Sequence, residues 1–205
     1  MEEGKMHRRS ILSGVLVVLT AAFAVAGDNP APAAAPDQKA MMDAWMKFAT
    51  PGPGHKALEP LVGTWNARIS SWMAPGSAPI VSDGVSETSW VLGGRYLQQK
   101  HEGSFMGQPF SGLGYTAYDN YKKQYLATWM DNMGTSILSM AGTADAAGKV
   151  LSMEGKMDDF VGGRELTVRS TLRIVDADHN VYEMWSPGPD GKMFKMMEIA
   201  YTRKK

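Results

Sequence analysis

Cysteine is absent from this 205-residue chain. Its absence excludes disulfides, thiolate metal sites, a cysteine nucleophile and a lipid-anchored cysteine. A surplus of one charge is missing too, since 21 Lys and Arg balance 21 Asp and Glu. Nucleic-acid binders carry a basic footprint, and beyond the N-terminal region the only dense basic cluster is the tail Arg203-Lys204-Lys205. No nucleic-acid partner is expected. Histidine is scarce: His55, His101 and His179 follow the N-terminal region, and none is paired at i,i+2 or i,i+4. No imidazole chelate is therefore visible, and no metal site is expected. There is no Gly-x-Ser-x-Gly elbow, phosphate loop or dinucleotide fingerprint. Asp158 and Asp159 are adjacent, so on a strand they point to opposite faces and read as turn formers rather than an acid–base pair.

Long apolar runs are confined to one place, Ile11 to Val25. That run falls short of the roughly 20 residues a bilayer span needs. Lys5, His7, Arg8 and Arg9 precede it, and Ala24-Val25-Ala26 follows the small-x-small cleavage pattern. Residues 1–26 thus read as a secretory signal, and the protein is expected to be exported, periplasmic or secreted, with no stable membrane span after cleavage. Removing Lys5, Arg8, Arg9, Glu2 and Glu3 leaves 18 cationic against 19 anionic residues. The remaining 179 residues suffice for one domain burying roughly 70% of its unfolded surface. Residues 27–36 (GDNPAPAAAP) read as a Pro/Ala linker, and 37–205 as a single domain.

What the chain has in abundance is methionine and closely spaced turns. Asp37 is placed to cap a short helix running to about Thr50, with Met41, Met42, Trp45, Met46 and Phe48 as an apolar side expected to pack against the body or plug its mouth. From Thr64 onward, strands are expected near 64–73, 80–92, 95–105, 110–119, 124–132, 135–144, 150–158, 165–176, 180–186 and 194–203. Short turns such as Gly93-Gly94, Asp119-Asn120 and Gly162-Gly163 separate them, so sequence neighbours should pair as antiparallel hairpins. About ten strands in a meander hide their edges by closing into a barrel. The first strand should then pair with the last.

The triplet Gly63-Thr64-Trp65 stands where a short helical lead-in gives way to these strands, as at the start of lipocalin-like barrels. Several further motifs accompany it: Pro51-Gly52-Pro53-Gly54-His55, Leu92-Gly93-Gly94-Arg95-Tyr96-Leu97, Gly112-Leu113-Gly114-Tyr115-Thr116-Ala117-Tyr118-Asp119-Asn120-Tyr121-Lys122-Lys123, Trp129-Met130-Asp131-Asn132-Met133-Gly134-Thr135 and Pro187-Gly188-Pro189-Asp190-Gly191-Lys192. From about Met41 to Arg203 the chain resembles a bacterial family known as a domain of unknown function, number fifteen seventy-nine. The resemblance implies a lipocalin-like, antiparallel up-and-down β-barrel and carries no activity or catalytic residues with it.

Such barrels are usually containers. Of the 16 methionines, 14 lie beyond the signal, and soft, adaptable packing in a core or around a pocket is the expected use. Met130 and Met133, or Met193 and Met196, resemble Cu(I) pairs only superficially, because i and i+3 diverge on a strand. The residues expected to contact a small, mostly apolar ligand are Trp65, Trp90, Tyr115, Trp129, Met140, Met153, Arg169 and Glu198. They combine apolar surface with a few polar groups, as ligand cavities do. Parity alone does not say which strand face is inside. The expected protein is non-catalytic and needs no cofactor. The alternatives are a sealed barrel serving as an envelope interaction module, and a barrel-cavity enzyme or haem binder with His101 as the strand-borne ligand.

Overall fold

The computed structural model describes residues 37–205. The signal and linker readings of residues 1–36 lie outside the described residues. Ten antiparallel strands, β1 (Gly63–Ser71), β2 (Ile80–Val91), β3 (Tyr96–Phe105), β4 (Gln108–Asp119), β5 (Gln124–Asp131), β6 (Leu138–Ala144), β7 (Val150–Asp159), β8 (Arg164–Ile174), β9 (His179–Pro187) and β10 (Met193–Arg203), close into a barrel. Each strand pairs with its sequence neighbours, and β1 pairs with β10 with Trp65 opposite Arg203 and Ser71 opposite Met197. The succession of short links dictates this order, because two-ended hairpins leave only the first and last strands free to pair. One irregularity interrupts the ladders: Met196 is extra between the pairs Lys195–Trp185 and Met197–Met184.

Strand alternation now has a direction. Trp65, Ala67 and Ile69 of β1 face inward, as do Met140 of β6, Met153 of β7, Val168 and Ser170 of β8 and Met184 of β9. In β8 the expected split holds, with Val168 and Leu172 inside and Arg169 and Arg173 on the opposite face.

Two short helical turns seal one end of the barrel. α2 (Pro53–Lys56) and a 3₁₀ turn (Glu59–Leu61) place Leu58 and Leu61 against Leu97, Tyr125 and Leu151. Side chains from the wall hold this plug by its backbone. Trp65 Nε1 donates to Leu61 O at 2.9 Å, Tyr125 Oη to Gly54 O at 3.1 Å, and Arg203 to Val62 O at 2.8 Å and Pro60 O at 3.0 Å. His55 is buried under Tyr118, its Nδ1 accepting from Gly52 N at 3.2 Å. Burial lowers its pKa, and the Arg95 charge adds to the effect.

The N-terminal helix α1 (Gln38–Ala49) forms where expected, with Asp37 accepting from Lys39 N, but none of its residues is buried. Met41, Met42, Trp45, Met46 and Phe48 are each more than half exposed. The expectation that this helix covers or plugs the barrel is corrected. The plug is α2 with the 3₁₀ turn, and α1 is held at its C-terminal end, where Asn120 donates to Phe48 O and Thr50 O.

Candidate ligand cavity

The barrel interior is not filled. A cavity of about 530 Å³ runs from Leu61 at the plugged end to Met73, Met133 and Phe160 at the opposite rim, all three of them exposed. Its lining divides into two regions. One is apolar: Trp65, Ile69, Trp129, Met140, Met153 and Met184. The other is polar but uncharged: Thr88, Gln99, His101, Asn180, Tyr182 and Tyr201. Among the described residues no lysine or arginine lines the cavity, and the single carboxylate there is Asp131 near the rim.

The polar region is built on β2, β3, β9 and β10. Ser86 of β2 pairs directly with His101 of β3, and both side chains point inward. Ser86 Oγ and His101 Nδ1 are 2.9 Å apart. Gly84 and Gly103, the next inward positions on the same strands, leave room for the imidazole, since a Cβ at either would press on its ring. Gln99 Nε2 lies 3.5 Å from the Tyr201 hydroxyl. Burial pushes the Tyr201 phenol up to about 12, partly offset by the Gln99 contact, and also raises Tyr182. Burial lowers the His101 pKa, with the Glu102 carboxylate opposing it. All three side chains are therefore neutral at pH 7.

Trp129 forms a wall at the other side. Its ring lies flat against β4, where Gly112 and Gly114 face inward and a side chain at Gly112 would collide with it. Its Nε1 donates to Asp131 at 2.9 Å, so the indole is fixed from both directions.

Four of the eight residues expected at a ligand, Trp65, Trp129, Met140 and Met153, line this cavity. The other four are corrected. Trp90 is at the plugged end, donating to Glu59 at 2.6 Å and packing on the closed-end core. Tyr115 is on the outer face and accepts from Gln98 at 2.7 Å. Arg169 is outside, 3.0 Å from Glu154 on the neighbouring strand. Glu198 is outside as well, in an ion pair with Lys195, which also bonds Glu183 at 3.0 Å. A cross-strand pair explains Arg169, and a shared Lys195 between Glu198 on its own strand and Glu183 across the ladder explains Glu198. Sequence reasoning missed Ser86, Gln99, Asn180 and Tyr201. The inward face of β2 reads Ser82, Gly84, Ser86, Thr88, which has the composition of a solvent face and gives no signal of burial.

Residues 50–203 match the family described as protein of unknown function, DUF1579. The chain belongs to that family. No curated protein matches it. Among solved structures it is similar to Rv2717c from M. tuberculosis at 18% identity and a TM-score of 0.57, covering 76% of this chain and 100% of that one. It is also similar to a redesigned β-barrel at 14% identity and a TM-score of 0.39, covering 73% of this chain and 96% of that one. The likeness to Rv2717c speaks to fold alone. Several motifs of the sequence build the plugged end: Pro53 opens α2, Gly54 makes room for the Tyr118 ring, and Asp119 accepts from Tyr121 N and Lys122 N in the β4–β5 turn. Among the described residues no helix is long and apolar enough to cross a membrane, which says nothing of a β-barrel.

Proposed function

We propose that this protein is a non-catalytic container that binds a small, mostly apolar molecule inside its barrel. The observation that carries the reading is the cavity of about 530 Å³, walled by Trp65, Trp129, Met140, Met153 and Met184. That volume lies within the range of small-molecule sites, roughly 300–1,000 Å³. Thioether side chains change rotamer at little cost and adapt to varied shapes. An empty interior weighs against the sealed-barrel alternative. Native mass spectrometry of protein purified from its own host tests the reading directly, because a retained ligand adds its mass. Failure of every fatty acid, hydrophobic dye and haem to bind saturably to folded protein would sink it.

Export belongs to the same proposal. It rests on the basic residues Lys5, Arg8 and Arg9, the apolar run to Val25 and the Ala24-Val25-Ala26 site. N-terminal sequencing of the protein from its host is expected to begin at or near Gly27. Full-length chain in the membrane fraction would overturn it.

A further inference from the structure

The polar region of the cavity is too specifically built to be incidental to an apolar container. His101 is buried, its Nδ1 is engaged by Ser86, and its Nε2 has no hydrogen-bond partner among the described residues. Among the described residues no buried polar side-chain atom is left without a partner, so Nε2 opens onto the cavity that His101 lines. Ser86 itself does not reach that cavity: it is fully buried behind the ring and sits outside the lining. It is a positioning residue, not a nucleophile.

We propose that His101 is the ligand-recognition residue of the barrel, and that it binds the single neutral hydroxyl or carbonyl group of an otherwise apolar molecule. The inference rests on the container reading and gives it a ligand class. Its logic lies in the proton count of Ser86. A hydroxyl has one proton to donate and lone pairs that accept, and the Ser86 hydroxyl lies 2.9 Å from His101 Nδ1. When Ser86 donates to Nδ1, the imidazole presents Nε2–H and matches a carbonyl or hydroxyl oxygen. When Ser86 instead accepts from Nδ1–H, Nε2 becomes an acceptor for a ligand hydroxyl. The relay therefore serves either partner without a charge.

A carboxylate fits poorly by the same reasoning. Burying an ionised carboxylate is costly without a cation beside it. Among the described residues the lining holds no lysine or arginine, the imidazole is neutral, and the one charged side chain on the lining is the like-signed Asp131. Fatty alcohols, esters and ketones are accommodated, whereas fatty-acid anions are disfavoured.

The test uses the purified protein at pH 8 with diphenylhexatriene, a hydrocarbon dye, as the reporter of the cavity. Dodecanol, methyl dodecanoate and submicellar dodecanoate then compete for it. Dodecanol and the ester are expected to displace the dye at about tenfold lower concentration than dodecanoate, the size of one buried hydrogen bond retained rather than lost. His101→Leu is expected to cost the alcohol and the ester about tenfold relative to dodecane, each competed at that variant's own dye affinity. Equal or better displacement by dodecanoate, or an unchanged alcohol in folded His101→Leu, overturns the proposal but leaves the container standing. No dye binding at all overturns both. Should His101→Leu fail to fold, ¹⁵N NMR of the wild-type imidazole decides: Nε2 must shift with dodecanol and stay put with dodecane. A haem Soret band lost in His101→Leu would assign Nε2 to a metal and overturn the neutral-head reading.

Discussion

The Arg203 guanidinium lies 4.1 Å from the centre of the Trp65 ring, and the two residues are directly paired across the seam between β1 and β10. The same guanidinium holds Val62 O and Pro60 O, so one side chain joins the last strand, the first strand and the plug. Gly63 completes the arrangement: its φ of 134° is one that side-chain-bearing residues rarely adopt, and a Cβ there would strike Arg203. The Gly-x-Trp triplet is therefore a packing requirement of a residue 140 positions away.

Arg203→Lys keeps the charge but loses the planar fork and its stacking. It is expected to lower stability by about 1–2 kcal/mol in urea denaturation, from the lost cation–π contact and backbone bonds. Gly63→Ala strains the backbone and displaces the guanidinium, at a cost of about 1–3 kcal/mol. Because both changes break one contact, the double variant should be less destabilised than the two singles added together. Simple additivity would show that Gly63 acts on the backbone alone.

Most of the barrel was legible because turn chemistry is local. Gly93-Gly94 and Asp119-Asn120 mark their links by residue type, and hairpins then fix strand order without further information. The direction each strand faces was only partly legible. Val168 and Leu172 announce an inward face, but Ser86 and His101 do not, because a buried polar pair has the composition of a surface one. Met153 alternates with the polar Ser152 and Glu154, which marks it as facing inward, whereas Arg169 and Glu198 were misplaced for want of their partners, Glu154 across the ladder and Lys195 on the same strand. The α1 face misled for a different reason. Amphipathic pattern states that a helix has an apolar side and is silent about what that side meets.

Acid should weaken the fold through two histidines. His55 and His101 both have pKa values lowered by burial from the usual 6.5. The unfolded chain therefore binds protons at a higher pH than the native one. The stability they contribute is fully present above pH 6.5 and is lost as pH falls from there through the lower folded values. Asp119 and Asp159, whose pKa values are lowered chiefly by backbone hydrogen bonds, lose theirs in a separate window below 3.8. Denaturation midpoints across pH 8 to 5 should fall in the wild type and flatten in His55→Gln/His101→Gln. An equal slope in that variant would remove the histidines from the explanation.

The methionine wall should behave as a volume setting. Met153 and Met140 are both buried, and Met140 Sδ lies 3.5 Å from Ser170 Oγ. Met153→Ala is expected to cost about 2–4 kcal/mol, the usual range for truncating a buried large side chain. The same change enlarges the cavity, so bulkier hydrocarbon dyes should gain affinity relative to slimmer ones. Unchanged size preference in the folded variant would mean that Met153 does not shape the ligand space.

Trp129 offers the most direct optical readout of the cavity. Its indole is clamped between the bare backbone of Gly112 and Gly114 on one side and the Asp131 carboxylate at Nε1, and its ring forms cavity wall. An apolar ligand in the barrel must contact that wall, so binding should change tryptophan fluorescence in the wild type and much less in Trp129→Phe. Gly112→Ala makes the reverse test. Its new Cβ occupies the space of the indole and forces the ring toward the cavity. Dye affinity should then fall by about tenfold or more, as expected when a ring intrudes on a close-packed site. Asp131→Asn keeps an acceptor for Nε1 and should leave binding unchanged. A full fluorescence response in Trp129→Phe would place the ligand elsewhere in the molecule, and undiminished binding in Gly112→Ala would show that the indole wall is free to retreat.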